Sequence, residues 1–145
     1  MYEHILIATD GTDLSRKTVV ASLDMAKQLG ARATVVRVQG KPAHIVVFGV
    51  DLTELPDDIR QRIRQEVEDH LAWARSVAEE KGVACETVRV ESEFPWKGII
   101  DTADARGCDL IAMASYGRSG VAAKLIGGET QKVLTHSKLP VMVYR

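Results

Sequence analysis

Five short apolar runs alternate with four stretches of helical periodicity, and that alternation leaves few folds open. The runs are 4–9 (HILIAT), 33–38 (ATVVRV), 84–90 (ACETVRV), 109–114 (DLIAMA) and 140–144 (PVMVY). Each is too short for a core helix and reads as a strand; the second is rich in β-branched residues. The first helical stretch carries Val19, Val20, Leu23, Ala26 and Leu29 at helical spacing and ends at Gly30. Thr12, Asp13 and Ser15 are its candidate caps. The longest, Pro56 to Lys81, puts Ile59, Ile63, Val67, Leu71, Ala74, Val77 and Ala78 on one stripe with its charges mostly off it, and Trp73 near the stripe edge. Pro95 to Ala105 and Glu129 to His136 are the other two. The order β-α-β-α-β-α-β-α-β predicts an α/β fold, a parallel doubly wound sheet with helices on both faces. Residues 41–56 follow no period and are expected to be irregular.

The 145 residues suit a single domain, 1–145, with a real core. A formal net charge of -1 gives no electrostatic footprint for nucleic acid. The longest run of apolar residues and glycine, Ile45 to Val50, is far short of a membrane span. The opening MYEHILIATD has no basic segment followed by a long apolar one, so no secretory signal is expected. Cys85 and Cys108 are no disulfide framework and read as small buried thiols. The expected location is the cytoplasm, with no nucleic-acid or membrane partner.

Chemistry concentrates in two loops. Asp10-Gly11-Thr12 follows the first strand. A glycine-bearing stretch (Gly117, Gly120, Gly127, Gly128) joins the fourth strand to the last helix. A strand that feeds glycines and then a helix start is a natural anion site, because the first N–H groups of a helix lack intrahelical partners. Turn chemistry alone also explains such glycines, and the stretch matches neither GxxxxGK[ST] nor GxGxxG. In doubly wound sheets ligands sit outside the C-terminal strand ends where the strand order reverses. If the first and fourth strands are neighbours there, both loops face one crevice.

With these residues in view, the whole chain resembles the universal stress proteins. HILIATDGTDLS is similar to that family's first strand and acidic turn, and MASYGRSGVAAKLIGGETQKVLTHSKLPVMVYR to its C-terminal signature. The resemblance implies an open five-stranded Rossmann-like sheet of order 3-2-1-4-5, and usually a homodimer. It also implies a nucleotide site in those members that carry glycine, two residues, glycine, nine residues, glycine, then serine or threonine. Here Gly117 and Gly127 match, whereas Ala114 and Gly128 depart. Ala114 adds one methyl, tolerable where φ is negative. Gly128 lacks a hydroxyl whose bond to a charged group is worth about 1.5–3 kcal/mol. Weakened binding is expected rather than none. The resemblance carries Asp10 to the acidic position near the nucleotide and Val38 to the adenine edge. Met113 and Ala114 then form the crevice floor.

Glu129 has two readings: it caps and faces solvent, or it points into the crevice and repels a triphosphate, with Arg118 and Lys124 as offsets. Thr130 offers a hydroxyl close to the missing one. The candidate nucleotide-binding residues are therefore Asp10, Val38, Met113, Ala114, Gly117, Arg118, Gly127, Gly128, Glu129 and Thr130, for ATP or another adenine nucleotide. His4, His44, His70 and His136 lie in separate regions, with neither metal-ligand spacing nor a catalytic motif. No enzyme is expected, at most a slow incidental ATPase. An apolar last strand at a sheet edge suits pairing with a second copy, so a homodimer through Leu139–Tyr144 is expected. The functional expectation is a small nucleotide-binding sensor or regulator of the stress response; the alternative is a homodimeric interaction protein with a degenerate pocket.

Overall fold

The computed structural model describes residues 1–40, 46–51, 56–116 and 126–145. Its elements in chain order are β1 (His4–Ala8), α1 (Asp13–Leu29), β2 (Arg32–Gly40), β3 (Val46–Val47), β4 (Val50–Asp51) and α2 (Asp57–Lys81). There follow β5 (Cys85–Ser92), α3 (Pro95–Ala105), β6 (Leu110–Ala114), α4 (Gly128–His136) and β7 (Val141–Tyr144). Five strands form one sheet of order β5-β2-β1-β6-β7, and every pairing in it is parallel. Counting only these five, the order is the expected 3-2-1-4-5.

The uninterrupted apolar runs are explained by burial on both faces. Along β1, Ile5 and Ile7 point to one face, where α1 (Val19, Leu23, Ala26) and α2 (Val67, Leu71, Ala74, Ala78) cover them. Leu6 and Ala8 point to the other, beneath α3 (Ile99, Ala103) and Val133 of α4. Each fully buried Ile, Leu or Val contributes about 1.5–3 kcal/mol relative to exposure.

Two sequence expectations need correction. Within 41–56, residues 46–51 are not irregular but a small antiparallel ladder, Val46 opposite Asp51 and Val47 opposite Val50. Its turn is Phe48-Gly49, with φ of 50° and 76°, the two positive φ values that a tight hairpin requires. The rest of that stretch lies outside the described residues. The α2 stripe is also shorter than its periodicity suggests, because Ile59 and Ile63 are exposed. The reason is length. Twenty-five helical residues span about 37 Å, whereas the eight of β5 span about 27 Å, so the first turns of α2 run past the sheet.

Local chemistry supports the frame. Thr12 is the α1 cap, its hydroxyl accepting from the Ser15 N–H. The Asp109 carboxylate accepts from the backbone N–H groups of Glu3 (2.8 Å) and His4 (3.1 Å), fastening the start of β1 to that of β6. Buried His4 pairs its Nε2 with Thr34 Oγ1 at 2.7 Å. Helix α3 lies close on the sheet through Gly98, where a Cβ would stand 2.8 Å from Val38 Cγ1 and 3.1 Å from Ser92 Cβ.

Two outcomes follow. Gly98→Ala forces α3 away from a stiff β-branched neighbour and should cost about 1–3 kcal/mol in urea unfolding. Burial, then the charge of Arg32, lowers the His4 pKa below 6.5. The unfolded chain then binds more protons than the folded one as pH falls through that value, so stability declines below pH 6.5. Urea midpoints between pH 7.5 and pH 5.5 should fall less in His4→Gln than in the native chain (about two units spanning the ordinary histidine range).

Candidate functional site

Strands β1 and β6 are neighbours at the point where the strand order reverses, and a cleft of about 240 Å³ opens beyond their C-terminal ends. From the β1 side it is lined by Ala8, Thr9, Asp10 and Ser15, from β2 by Val36 and Val38, and from α3 by Pro95 and Ile99. Met113, Ala114 and Tyr116 close the β6 side, and Gly127, Gly128, Glu129 and Thr130 bring the first turn of α4 to it. Eight of the ten sequence-derived residues thus meet in one place: Asp10, Val38, Met113, Ala114, Gly127, Gly128, Glu129 and Thr130. Gly117 and Arg118 lie outside the described residues, as does Lys124. Ala8, Thr9, Ser15, Val36, Pro95, Ile99 and Tyr116 also line the cleft and were not among the candidate site residues. Only Thr9 and Ser15, flanking the Asp10 turn, carried a local signal.

Asp10 shapes its own loop. Its Oδ1 accepts from the Thr12 backbone N–H at 3.0 Å and from the Thr12 hydroxyl at 2.6 Å, a turn-forming pattern that side-chain carboxylates favour. Beneath it lies a buried chain of polar groups. Ser15 Oγ donates to the Thr12 carbonyl at 2.9 Å, and Thr9 Oγ1 donates to Ser15 Oγ at 3.0 Å. His70 Nε2 is 2.7 Å from Thr9 Oγ1. The imidazole thereby joins the same chain of hydroxyls at the end of β1. His70 was read in the sequence as remote from the other candidates; the fold brings it to the end of β1.

The second wall depends on close approach. Gly127 N–H donates to Ser115 O at 2.7 Å, and a Cβ at Gly127 would lie 3.1 Å from the Tyr116 Cα. Among the described residues, none comes within 4 Å of a Cβ built at Gly128. Ala114 is not among the positive-φ residues, which makes its methyl free of backbone strain. The Thr130 hydroxyl does not stand in for the one absent at Gly128: it is buried and donates to the Ala114 carbonyl at 2.9 Å.

Glu129 follows neither sequence reading fully. It caps, but it caps α3 rather than its own helix. Its Oε2 accepts from the Trp96 backbone N–H at 2.8 Å, whereas Phe94, at the α3 N-cap, contributes no side-chain bond. Trp96 in turn stacks on His136 of α4, ring centroids 4.4 Å apart. The described lining carries two carboxylates, Asp10 and Glu129, and no basic side chain. Lys132 Nζ stands 4.0 Å from Glu129 Oε1.

Both cysteine thiols are pushed up to about 11, chiefly by burial, so neither presents a reactive thiolate at neutral pH. Among the described residues no three His, Cys, Asp or Glu gather as a metal site, and no helix is long and apolar enough to cross a membrane.

Comparison with known proteins agrees with this architecture. The universal stress protein family profile matches residues 1–145. Universal stress protein YxiE of Bacillus subtilis is 31% identical over 150 residues, covering 100% of each chain. A universal stress protein family member from Burkholderia pseudomallei superposes with a TM-score of 0.77 at 25% identity, over 99% of this chain and 96% of that one. The universal stress protein from Archaeoglobus fulgidus, solved in complex with dAMP, shares the fold with a TM-score of 0.71 at 18% identity, over 99% and 98% of the two chains. Strand order, switch-point cleft and full-length sequence similarity lead to one assignment: this chain belongs to the universal stress protein family.

Proposed function

We propose that the chain is a small cytoplasmic regulator or sensor that binds an adenine nucleotide in the cleft between the ends of β1 and β6. The observation that carries this reading is convergence. An apolar slot walled by Val36, Val38, Ile99 and Met113 suits a flat base, and it opens directly onto the Asp10 turn and the first turn of α4. The dAMP complex of the Archaeoglobus fulgidus relative supports the same ligand class. Among the described residues the cleft presents a slot for a ligand and no assembled nucleophile, and a signalling role with at most slow, incidental hydrolysis is the reading proposed. A second reading, a homodimeric interaction protein with a degenerate pocket, is favoured by the Glu129 carboxylate at the cleft mouth.

The proposed homodimer joins through β7. Pro140 O and Tyr144 O accept from the N–H groups of Ile111 and Ser115, so by strand periodicity the backbone groups of Val141 and Val143 face away from β6. They form the edge a second copy can pair with.

These proposals have separate tests. Calorimetric titration with AMP and ATP should give a dissociation constant in the micromolar range for at least one; heat from neither overturns nucleotide binding and leaves the interaction-protein reading. Gly128→Ser adds the hydroxyl typical of ATP-binding relatives at a position that no described residue crowds, and should tighten ATP about tenfold. Val143→Pro removes an outward donor without touching the β6 ladder and should yield monomers in sedimentation; an unchanged dimer overturns the β7 interface.

A further inference from the structure

We propose that Glu129 sets the phosphate preference of this cleft, which takes adenosine and its monophosphates ahead of ATP; the inference rests on the adenine-binding reading above. The starting observation is where the carboxylate is held. Glu129 rises from the first turn of α4 and bonds the Trp96 N–H in the first turn of α3. Two helix N-termini therefore meet at the cleft, and one is already occupied by an anion of the chain itself. A helix start is a ready phosphate site because its N–H groups carry partial positive charge. At α3 the carboxylate has taken the place that a ligand phosphate would use.

The anchoring makes this a fixed charge rather than a mobile one. Trp96 is pinned by its stack on His136, and the 2.8 Å bond holds Glu129 Oε2 to the Trp96 backbone. Swinging the carboxylate out would leave the α3 N-terminus without its side-chain cap, since Phe94 supplies none. Asp10 places a second carboxylate on the opposite wall of the cleft. Lys132 stands 4.0 Å from Glu129 and is itself half exposed, so solvent screens its contribution.

A nucleoside or a single phosphate meets little of this field, because α4 keeps its own first turn and no described residue crowds Gly128. Each further phosphoryl group brings more negative charge toward a carboxylate that cannot easily retreat. The missing serine hydroxyl at Gly128 and the carboxylate at Glu129 then act in the same direction: both remove support from a long polyphosphate.

The test is a titration of adenosine, AMP and ATP without divalent metal, on the native chain and on Glu129→Gln. Glutamine keeps an oxygen for the Trp96 N–H and removes the charge. The native chain should bind AMP at least about tenfold more tightly than ATP, and Glu129→Gln should tighten ATP about tenfold while moving AMP less than about threefold. A salt series on the native chain gives an independent readout: screening should narrow the gap between AMP and ATP. Equal native affinity for AMP and ATP, a ratio that Glu129→Gln does not change, or a gap indifferent to salt overturns the proposal while adenine binding stands. Failure of all three ligands to bind overturns the adenine reading itself, and this inference with it.

Discussion

The pairing of β1 with β6 is the constraint on which the rest of the structure depends. The chain first builds outward from β1 through β2 to β5, then crosses back to lay β6 on the other side of β1. That reversal leaves no crossover helix over the ends of the two central strands, and the gap becomes the cleft. Asp109 secures the arrangement at the opposite end of the strands by accepting two N–H groups from the start of β1. A shift of β6 by one residue would turn Ile111 and Met113 from the α3–α4 face to the α1–α2 face.

Around that seam the chain meets two kinds of demand. The strands are buried on both faces and are therefore simple to specify: they need only apolar residues of suitable size. The cleft walls need close backbone approach and polar groups with their bonds satisfied. Gly127 allows the loop to lie against Tyr116, the Thr9–Ser15–His70 chain orders the hydroxyls beneath Asp10, and Glu129 closes the α3 start from another helix. The site is thus held by contacts among six elements, the ends of β1 and β6 and the four helices, rather than by one motif.

This difference explains what was legible in the sequence. The five strands, four helices and their order could be read because burial on two faces leaves continuous apolar runs, and amphipathic helices leave a stripe. The crevice residues Asp10, Gly127 and Gly128 could be read because turns have local signatures, and Ala114 and Val38 through the resemblance to the family. Three features had none. The bond from Glu129 to Trp96 spans 33 positions and joins two helix starts that only the fold makes neighbours. His70 sits on a helix face whose apolar period gave no hint of its polar partner Thr9, just past β1. Residues 46–51 form strands of two residues each, too short for any period to show, and Phe48 is an unusual choice at positive φ.

Ligand binding at the switch-point cleft is the central claim. Backbone amide chemical shifts of the isotopically labelled chain, followed during addition of AMP, test that most directly. The account predicts progressive shifts at Thr9, Asp10, Gly127, Gly128 and Glu129, with little change along α2 and at the exposed face of β5. Shifts clustered elsewhere, such as around Trp73 between α1 and α2, would place the ligand outside the switch point and contradict it.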